Sequence, residues 1–242
     1  MKRLIILPLV LIFCGQLFAQ NKFSGGLFFA PGISWMAPQN KKEAESTGVG
    51  FSYKVGAELD INLVENFAFC MALQYAKYGG KLQFNDTIAQ FKTKDETFSN
   101  ILPKSQIKYN INYLEIPLSF KGKQKVNYMT YFLKAGGQLG IGLMSQKSDM
   151  KWTLDTAGTS NPLTETEVTE AIMDKQIGIF NLGYHLGGGI EYAIADNTRI
   201  LVEFLYNGGF YNINKTEIYI KGKKDNPFVK LGNVELKLGI MF

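Results

Sequence analysis

The feature of this 242-residue chain that most limits its fold is a strict alternation of apolar and polar side chains over long segments. In residues 181–194, apolar side chains occupy every second position from Leu182 to Ile194, and small or charged residues such as His185 and Glu191 stand between them. Successive side chains of a β-strand point to opposite faces, so this pattern predicts a strand with one apolar face. Strands in soluble proteins usually have about 5–6 residues, whereas a tilted strand that crosses a bilayer needs about 9–11.

The same alternation divides the chain into eight segments. They span about 22–36, 49–64, 67–84, 108–121, 129–145, 181–194, 198–211 and the last residues up to 242. Short connections at 64–66, 122–127 and 195–197 alternate with long ones at 37–48, 85–107, 146–180 and 212–227. Outer-membrane barrels have short periplasmic turns and longer extracellular loops in the same alternation. We therefore predict an all-β fold, an eight-stranded antiparallel up-and-down transmembrane β-barrel with both termini in the periplasm.

The first residues indicate export. A basic start precedes an apolar run from Leu4 to Phe13, and the small residue Ala19 follows it. The run is too short to span a bilayer as a helix, and this order of features is typical of a secretory signal peptide. We predict a signal peptide over 1–19 and a single outer-membrane barrel domain over 20–242.

Composition excludes several kinds of site. Beyond the predicted signal peptide, Cys70 is the only cysteine and His185 the only histidine, so neither an internal disulfide nor a zinc site of clustered Cys and His can form. The formal charge of +5 is spread among acids without a basic stripe, and export argues against nucleic acid as a partner. The acidic run at 165–174 lacks the ligand spacing of an EF-hand, so we interpret it as a solvated loop segment with helical character. We expect no metal and no cofactor.

The two faces of the predicted strands require different surroundings. Eight long apolar strips would form a far larger exposed patch than a soluble monomer tolerates, so we assign them to lipid and the charged faces to the interior. Eight strands enclose a space that side chains can fill, and buried charges need partners. We therefore predict a closed ionic plug built from Lys54, Glu58, Asp60, Glu115, Lys121, Lys134, His185, Glu191, Arg199, Glu203, Glu235 and Lys237.

Proline within a strand has no N–H for the ladder. We therefore expect a bulge or a local break in pairing at Pro117, in the middle of the fourth segment.

Two neighbouring segments resemble a known family. The sequences NYLEIPLSFK at 112–121 and YFLKAGGQLGIGL at 131–143 closely resemble the PorT-like outer-membrane β-barrel family of Bacteroidetes. Most members of that family have no established function, and its namesake is an accessory component of type IX protein secretion. The final strand, with Leu238, Ile240 and Phe242 on one face, resembles the C-terminal signal that the barrel-assembly machinery recognises.

These observations favour a non-enzymatic integral outer-membrane barrel that acts through its extracellular loops, especially 146–180, as a structural, binding or protein-secretion accessory component. The expected partners are outer-membrane lipid, the barrel-assembly machinery during insertion, and a protein bound by the loops. Three alternatives stay open at this point. They are a narrow pore for small solutes, a lipid-modifying enzyme that uses His185, and an exported soluble barrel that binds an apolar ligand in its core and carries its charges outside.

Overall fold

The computed structural model describes residues 22–242, apart from 95–96, 144–145, 156–162, 174–175 and 221. The predicted signal peptide over 1–19 lies outside the described residues. The described residues form strands β1 Phe23–Pro38, β2 Ala44–Val64, β3 Phe67–Phe84, β4 Ile88–Lys92, β5 Thr97–Ile101, β6 Ser105–Val126, β7 Met129–Gly142, β8 Lys147–Asp155, β9 Leu163–Ile172, β10 Phe180–Ala195, β11 Thr198–Gly209, β12 Glu217–Ile220, β13 Lys223–Asp225 and β14 Val229–Met241. Within those ranges, no helix is both long and apolar enough to cross a membrane.

Eight of these strands close into a ring. Its order is β1, β2, β3, β6, β7, β10, β11 and β14, with β14 paired back to β1, and every neighbouring pair is antiparallel. The closing ladder joins Leu27 to Ile240 and Gly32 to Glu235. Each ring strand coincides with one of the eight alternating segments, so the predicted barrel is confirmed. A closed ring pairs the edges of all its strands, which is the condition for a sheet in lipid.

The two ends of the ring differ. Two-residue turns at 65–66, 127–128 and 196–197 connect the strands at one end, which we call the turn end. Asn127 has a φ of 54°, a left-handed conformation that asparagine tolerates better than most residues. The predicted connection at 122–127 is too long, because β6 continues to Val126 and pairs there with Met129. We call the opposite end the loop end.

The long connections contain strands that the sequence pattern did not predict. β8 pairs with the loop-end half of β6, β9 with β8, and β5 with β8, while β4 joins β5 to β12 and β12 pairs with β13. These six strands and the ring-strand ends beside them form what we call the head. The helical character expected for 165–174 is wrong for residues 165–172, which belong to β9 and pair with β8, where the ladder satisfies the backbone groups on that side. Residue 174 lies outside the described residues.

The head has its own apolar core, separate from the charged interior below it. Tyr109 lies fully buried in this core, and the burial raises the pKa of its hydroxyl. The core side chains come from ring strands and head strands together, so the head is packed onto the barrel as one unit. They are Met36, Ala44, Ala76, Tyr78, Leu82, Phe84, Ile88, Phe91, Ile101, Ile107, Tyr109, Ile111, Tyr113, Met150, Met173, Ile177, Ile213, Ile218, Val229 and Leu231.

On β3 and β6 both faces change character at one height, which we call the boundary. On β6 the outward face is polar from Gln106 to Asn112 and apolar from Leu114 to Phe120, while the inward face changes from apolar to polar between Tyr113 and Glu115. On β3 the outward face changes at the same level, because Lys77 pairs with Asn112 and Tyr75 with Leu114. Above the boundary these two strands have the pattern of a soluble protein, and below it they have the pattern of a membrane barrel.

Pro117 breaks pairing on one side of β6 only. The ladder with β3 has a gap between the pairs Met71–Leu118 and Gln74–Glu115, with no change of register. The ladder with β7 continues through Pro117 without a break. The expectation of a local break therefore holds on the β3 side, where proline has no N–H to donate, and no bulge forms.

Candidate functional site

The predicted interior residues lie together inside the ring below the boundary. Eleven of the twelve are buried, with at most 4% of their surface exposed: Lys54, Glu58, Asp60, Glu115, Lys121, Lys134, His185, Glu191, Glu203, Glu235 and Lys237. The twelfth, Arg199, has a side chain that is 26% exposed at the turn end. The charged side chains form three groups stacked along the barrel axis.

The middle group is a ring of alternating charges. Lys134 Nζ lies 2.6 Å from Glu58 Oε1 and 3.1 Å from Glu203 Oε2. Lys237 Nζ lies 2.9 Å from Glu58 Oε2 and 3.3 Å from the same Glu203 oxygen. The Phe28 ring centroid is 4.4 Å from Lys237 Nζ and adds a cation–π contact. Two lysines and two glutamates balance, so the attraction between them offsets the cost of removing them from water.

The group nearest the turn end is also neutral. Lys121 Nζ lies 2.7 Å from Asp60 Oδ2 and also pairs with Glu191. Arg199 Nη1 lies 2.9 Å from the other carboxylate oxygen of Glu191, and its second nitrogen donates a hydrogen bond to Ser24. Two cations and two carboxylates therefore form a connected network from β1 across to β6, β10 and β11.

The group nearest the boundary joins the charged interior to the head. Lys54 Nζ lies 2.8 Å from Glu235 Oε2 and 4.0 Å from Glu115 Oε2. Glu115 also accepts hydrogen bonds from the Tyr78 hydroxyl at 2.7 Å and from the Gln74 amide at 2.8 Å. Two carboxylates face one lysine here, so the neutral donors supply the remaining stabilisation. Tyr78 belongs to the head core as well, which fixes the plug to the head.

His185 lies beside a small cavity in the middle of the barrel. The cavity has a volume of about 20 Å³, which is room for about one water molecule. Cys70, Ser119 and Asn207 also line it. His185 Nδ1 has no hydrogen-bond partner among the described protein atoms. Because a nucleophile and its base must lie within hydrogen-bond reach, the described contacts give no Ser–His–Asp arrangement at this histidine.

One cluster has residue types that could bind a metal ion, but its carboxylates are already paired with lysines. Ligand atoms of Glu58, Asp60 and Cys70 lie within 4.8 Å of one another. Each carboxylate, however, contacts a lysine: Glu58 contacts Lys134, and Asp60 contacts Lys121. These lysines already supply the positive charge that a cation would bring.

The outward face of the ring below the boundary is apolar. It exposes Leu27, Phe29, Val55, Phe67, Leu73, Leu114, Leu118, Phe120, Leu133, Leu139, Leu182, Leu186, Ile200, Phe204, Leu236, Leu238, Ile240 and Phe242, among others. Tyrosines and a tryptophan lie near its upper rim, with the Trp35 and Tyr206 ring centroids 6.3 Å apart. An exported soluble barrel would carry its charges on this face, and the structure places them inside. The role of Leu238, Ile240 and Phe242 in barrel assembly stays a prediction.

Sequence reasoning missed the residues that join the barrel to the head. β6 exchanges its partner β7 for β8 near Asn112, and the Gln146 side chain fills the gap between the two ladders. Its amide oxygen accepts the Asn112 N–H at 2.7 Å, and its amide nitrogen donates to the carbonyls of Asn112 and Leu143 at 2.8 Å each. A single glutamine in a long connection carries no pattern that would have predicted this role.

No curated protein matches the chain by sequence. The structure is similar to that of Neisserial surface protein A, with a TM-score of 0.42 and 13% identity over 91% of this chain and 96% of that one. It is similar to OprG from Pseudomonas aeruginosa, with a TM-score of 0.42 and 9% identity over 91% and 95% of the two chains. It is also similar to the outer membrane enzyme PagL, with a TM-score of 0.39 and 12% identity over 88% and 97%.

The family comparison covers most of the sequence. Residues 18–214 match the family described as the outer membrane protein beta-barrel domain, and that range contains seven of the eight ring strands. The chain therefore belongs to the outer membrane protein β-barrel family.

Proposed function

We propose that this protein is a non-enzymatic, non-conducting barrel that anchors the head in the outer membrane and presents it outside the cell to a protein partner. The observation that carries this proposal is the head core, which is continuous with the ring strands and lies directly above the ionic plug. A structure of this kind is a rigid platform rather than a gate.

Charge pairing in the interior supports the absence of conduction. Every lysine of the plug contacts at least one carboxylate, and the central cavity holds about one water. A wider vestibule of about 440 Å³ opens at the turn end, and it is lined by Arg199 and Lys123. Arg199 is paired with Glu191, which is paired in turn with Lys121, so this network stands between the vestibule and the middle of the barrel. A narrow pore for small solutes is the second candidate, because the vestibule would be its entrance.

Strand pairing in the head supports the binding role. Binding residues are often held on connections that a rigid scaffold positions, and here the connections are themselves paired strands. The finer assignment, an accessory component of protein secretion as in the PorT-like family, rests on the resemblance of residues 112–121 and 131–143 to that family. With this assignment, the proposed protein partner is a component of a secretion machinery.

We further propose that the turn end and both termini face the periplasm. Short turns on the periplasmic side are the rule in outer-membrane barrels. The buried Cys70 makes a labelling test clean, because it is 1% exposed. Asn40→Cys at the loop end should react with an impermeant maleimide on whole cells, and Asn197→Cys at the turn end should react only after lysis. Labelling of Asn197→Cys alone on whole cells would reverse the orientation.

The function is tested by removing part of the head and keeping the barrel. In the trimmed variant, short Gly–Ser turns replace residues 88–101 and 217–225, which hold β4, β5, β12 and β13. A strain that lacks the protein is complemented with the intact or the trimmed form, and the secreted proteins are quantified. Secretion restored only by the intact form supports the proposal, provided that both forms shift mobility on heating. Equal rescue by the trimmed form contradicts it.

Conductance in planar bilayers separates the two candidates. The intact protein should produce no stepwise current. Steady single-channel steps from the intact protein would favour the narrow pore instead.

A further inference from the structure

Three lysines form a cluster on the outward face just above the boundary. Lys77 and Lys81 lie on β3, and Lys108 lies on β6, where it pairs directly opposite Lys81. All three alternate with inward residues of the head core, so their side chains point away from the protein. We call these three residues the lysine cluster.

The height of the cluster relates it to the lipid headgroups. The last apolar outward residue of β3 is Tyr75, and Lys77 is the next outward residue. With about 3.4 Å per residue and a tilt of roughly 40°, Lys77 lies about 5 Å above the boundary, within the polar layer of a bilayer. Lys81 and Lys108 are each six residues beyond the boundary pair Tyr75–Leu114, or about 16 Å above it on the same geometry. An anionic group that reaches all three lysines must extend farther from the membrane than a phospholipid headgroup does.

The pairing of Lys81 with Lys108 needs a counter-charge. Like charges directly opposite each other on neighbouring strands are destabilising. Lys108 contacts Asp149 at 2.8 Å, but both side chains are largely solvated, at 51% and 32% exposed, and such pairs stabilise little. No acidic side chain in the described ranges lies within ion-pair distance of Lys77 or Lys81. An anion outside the protein would remove the repulsion.

Paired lysines mark this wall of the barrel. On the β11 side at the corresponding height, Phe210 and Tyr211 are exposed and carry no charge, and the outward Lys230 on β14 pairs with Ala37. Among these positions, only β3 and β6 place two lysines directly opposite each other. Below the cluster, Tyr75 donates a hydrogen bond to Asn112 at 2.9 Å, and its ring lies 6.1 Å from that of Tyr53. The two tyrosine rings form an aromatic surface at the level where the acyl chains end.

We propose that the lysine cluster binds the phosphates of a glycolipid in the outer leaflet, with a phosphorylated sugar headgroup of the lipid A class as the occupant. The headgroup of such a lipid is thick enough to reach from Lys77 to the Lys81–Lys108 pair, and its acyl chains would lie on the apolar face below Tyr75. The inference rests on the proposed orientation, in which the loop end faces outward.

Binding is measured on the purified full-length protein in a neutral detergent, by native mass spectrometry with lipid A added. The variant K77Q/K81Q/K108Q removes the cluster. The control K41Q/K42Q/K223Q removes the same charge from exposed positions at the tip of the loop end and in β13. Each lysine near an anionic lipid surface contributes about fivefold, equivalent to about 1 kcal/mol, so the cluster variant should lose about a hundredfold in affinity. The wild type and the control should bind alike, and dephosphorylated lipid A should bind weakly to all three.

Three results would overturn the proposal. They are unchanged affinity in the cluster variant, an equal loss in the control, and equal binding of phosphorylated and dephosphorylated lipid A by the wild type. Equal binding of phosphatidylglycerol would overturn the choice of a glycolipid. Heat-dependent mobility of every variant shows that the barrel is folded. Because this assay uses purified protein, its failure leaves the secretion and labelling tests of the proposed function unaffected.

Discussion

Lys134 is the residue whose removal tests the ionic plug most severely. Its ammonium group contacts Glu58 at 2.6 Å and Glu203 at 3.1 Å, and both carboxylates are at most 4% exposed. A hydrogen bond to a charged group contributes about 1.5–3 kcal/mol, so two of them give roughly 3–6 kcal/mol. Breaking a buried ion pair by removing one partner costs about 3–5 kcal/mol, because the other charge stays buried. We therefore expect Lys134→Met to lower the free energy of unfolding by about 4 kcal/mol.

The assay is reversible urea unfolding of the protein inserted in phosphatidylcholine vesicles, followed by tryptophan fluorescence and by mobility on unheated gels. The control is Lys108→Met, which breaks the solvated pair with Asp149 and should cost less than about 1 kcal/mol. The double variant Lys134→Met/Glu203→Gln leaves Lys237 and Glu58 as a neutral pair. It should recover about 2 kcal/mol relative to Lys134→Met alone. A loss below about 1 kcal/mol for Lys134→Met, or no recovery in the double variant, would show that the buried charge pairs do not stabilise the barrel.

Three further changes test the apolar outward face of the ring, the head core and the junction between the barrel and the head. Leu186→Arg, at an outward position 59% exposed in the middle of β10, should cost about 2–4 kcal/mol in vesicles, whereas Gln83→Arg above the boundary should be nearly neutral in the same unfolding assay. Phe84→Ala removes a fully buried ring from the head core and should cost about 3–5 kcal/mol of head stability, seen as rapid proteolysis of the loop end while the barrel keeps its heat-dependent mobility. Gln146→Ala leaves the Asn112 N–H without its acceptor and should speed hydrogen exchange at that amide by about tenfold or more, and unchanged exchange would show that the junction does not depend on this side chain.

The ring of the barrel could be predicted from sequence because each strand has two faces with different surroundings. The alternation from Leu182 to Ile194 and its equivalents fixed which segments cross and which side chains enter the barrel. Connection lengths then supplied the pairing order, since neighbours joined by two-residue turns must be antiparallel.

The head could not be predicted in the same way. Its short strands pair with partners far along the chain, as β4 does with β12, and four or five residues give too few alternations to be recognised. One signal was nevertheless readable. Between residues 106 and 113 the apolar residues stand at the odd-numbered positions, which polar residues such as Glu115 and Lys121 occupy farther along β6. The exchange of the two faces at the boundary can therefore be recognised in the sequence. The hydrogen-bond partners of each interior charge, such as Tyr78 and Gln74 for Glu115, depend on the register between neighbouring strands. Alternation alone does not specify that register.

We predict that β6 leaves the lipid between Asn112 and Leu114 and continues into a water-soluble head. Nitroxide labels at the outward positions of β6 from 106 to 120, placed one at a time in a Cys70→Ala background, measure the position of this transition directly. Collision with a water-soluble nickel complex should dominate at 106, 108, 110 and 112, and collision with lipid-soluble oxygen should dominate at 114, 116, 118 and 120. Oxygen dominance at 106–110, or nickel dominance at 116–120, would show that β6 leaves the lipid at another height.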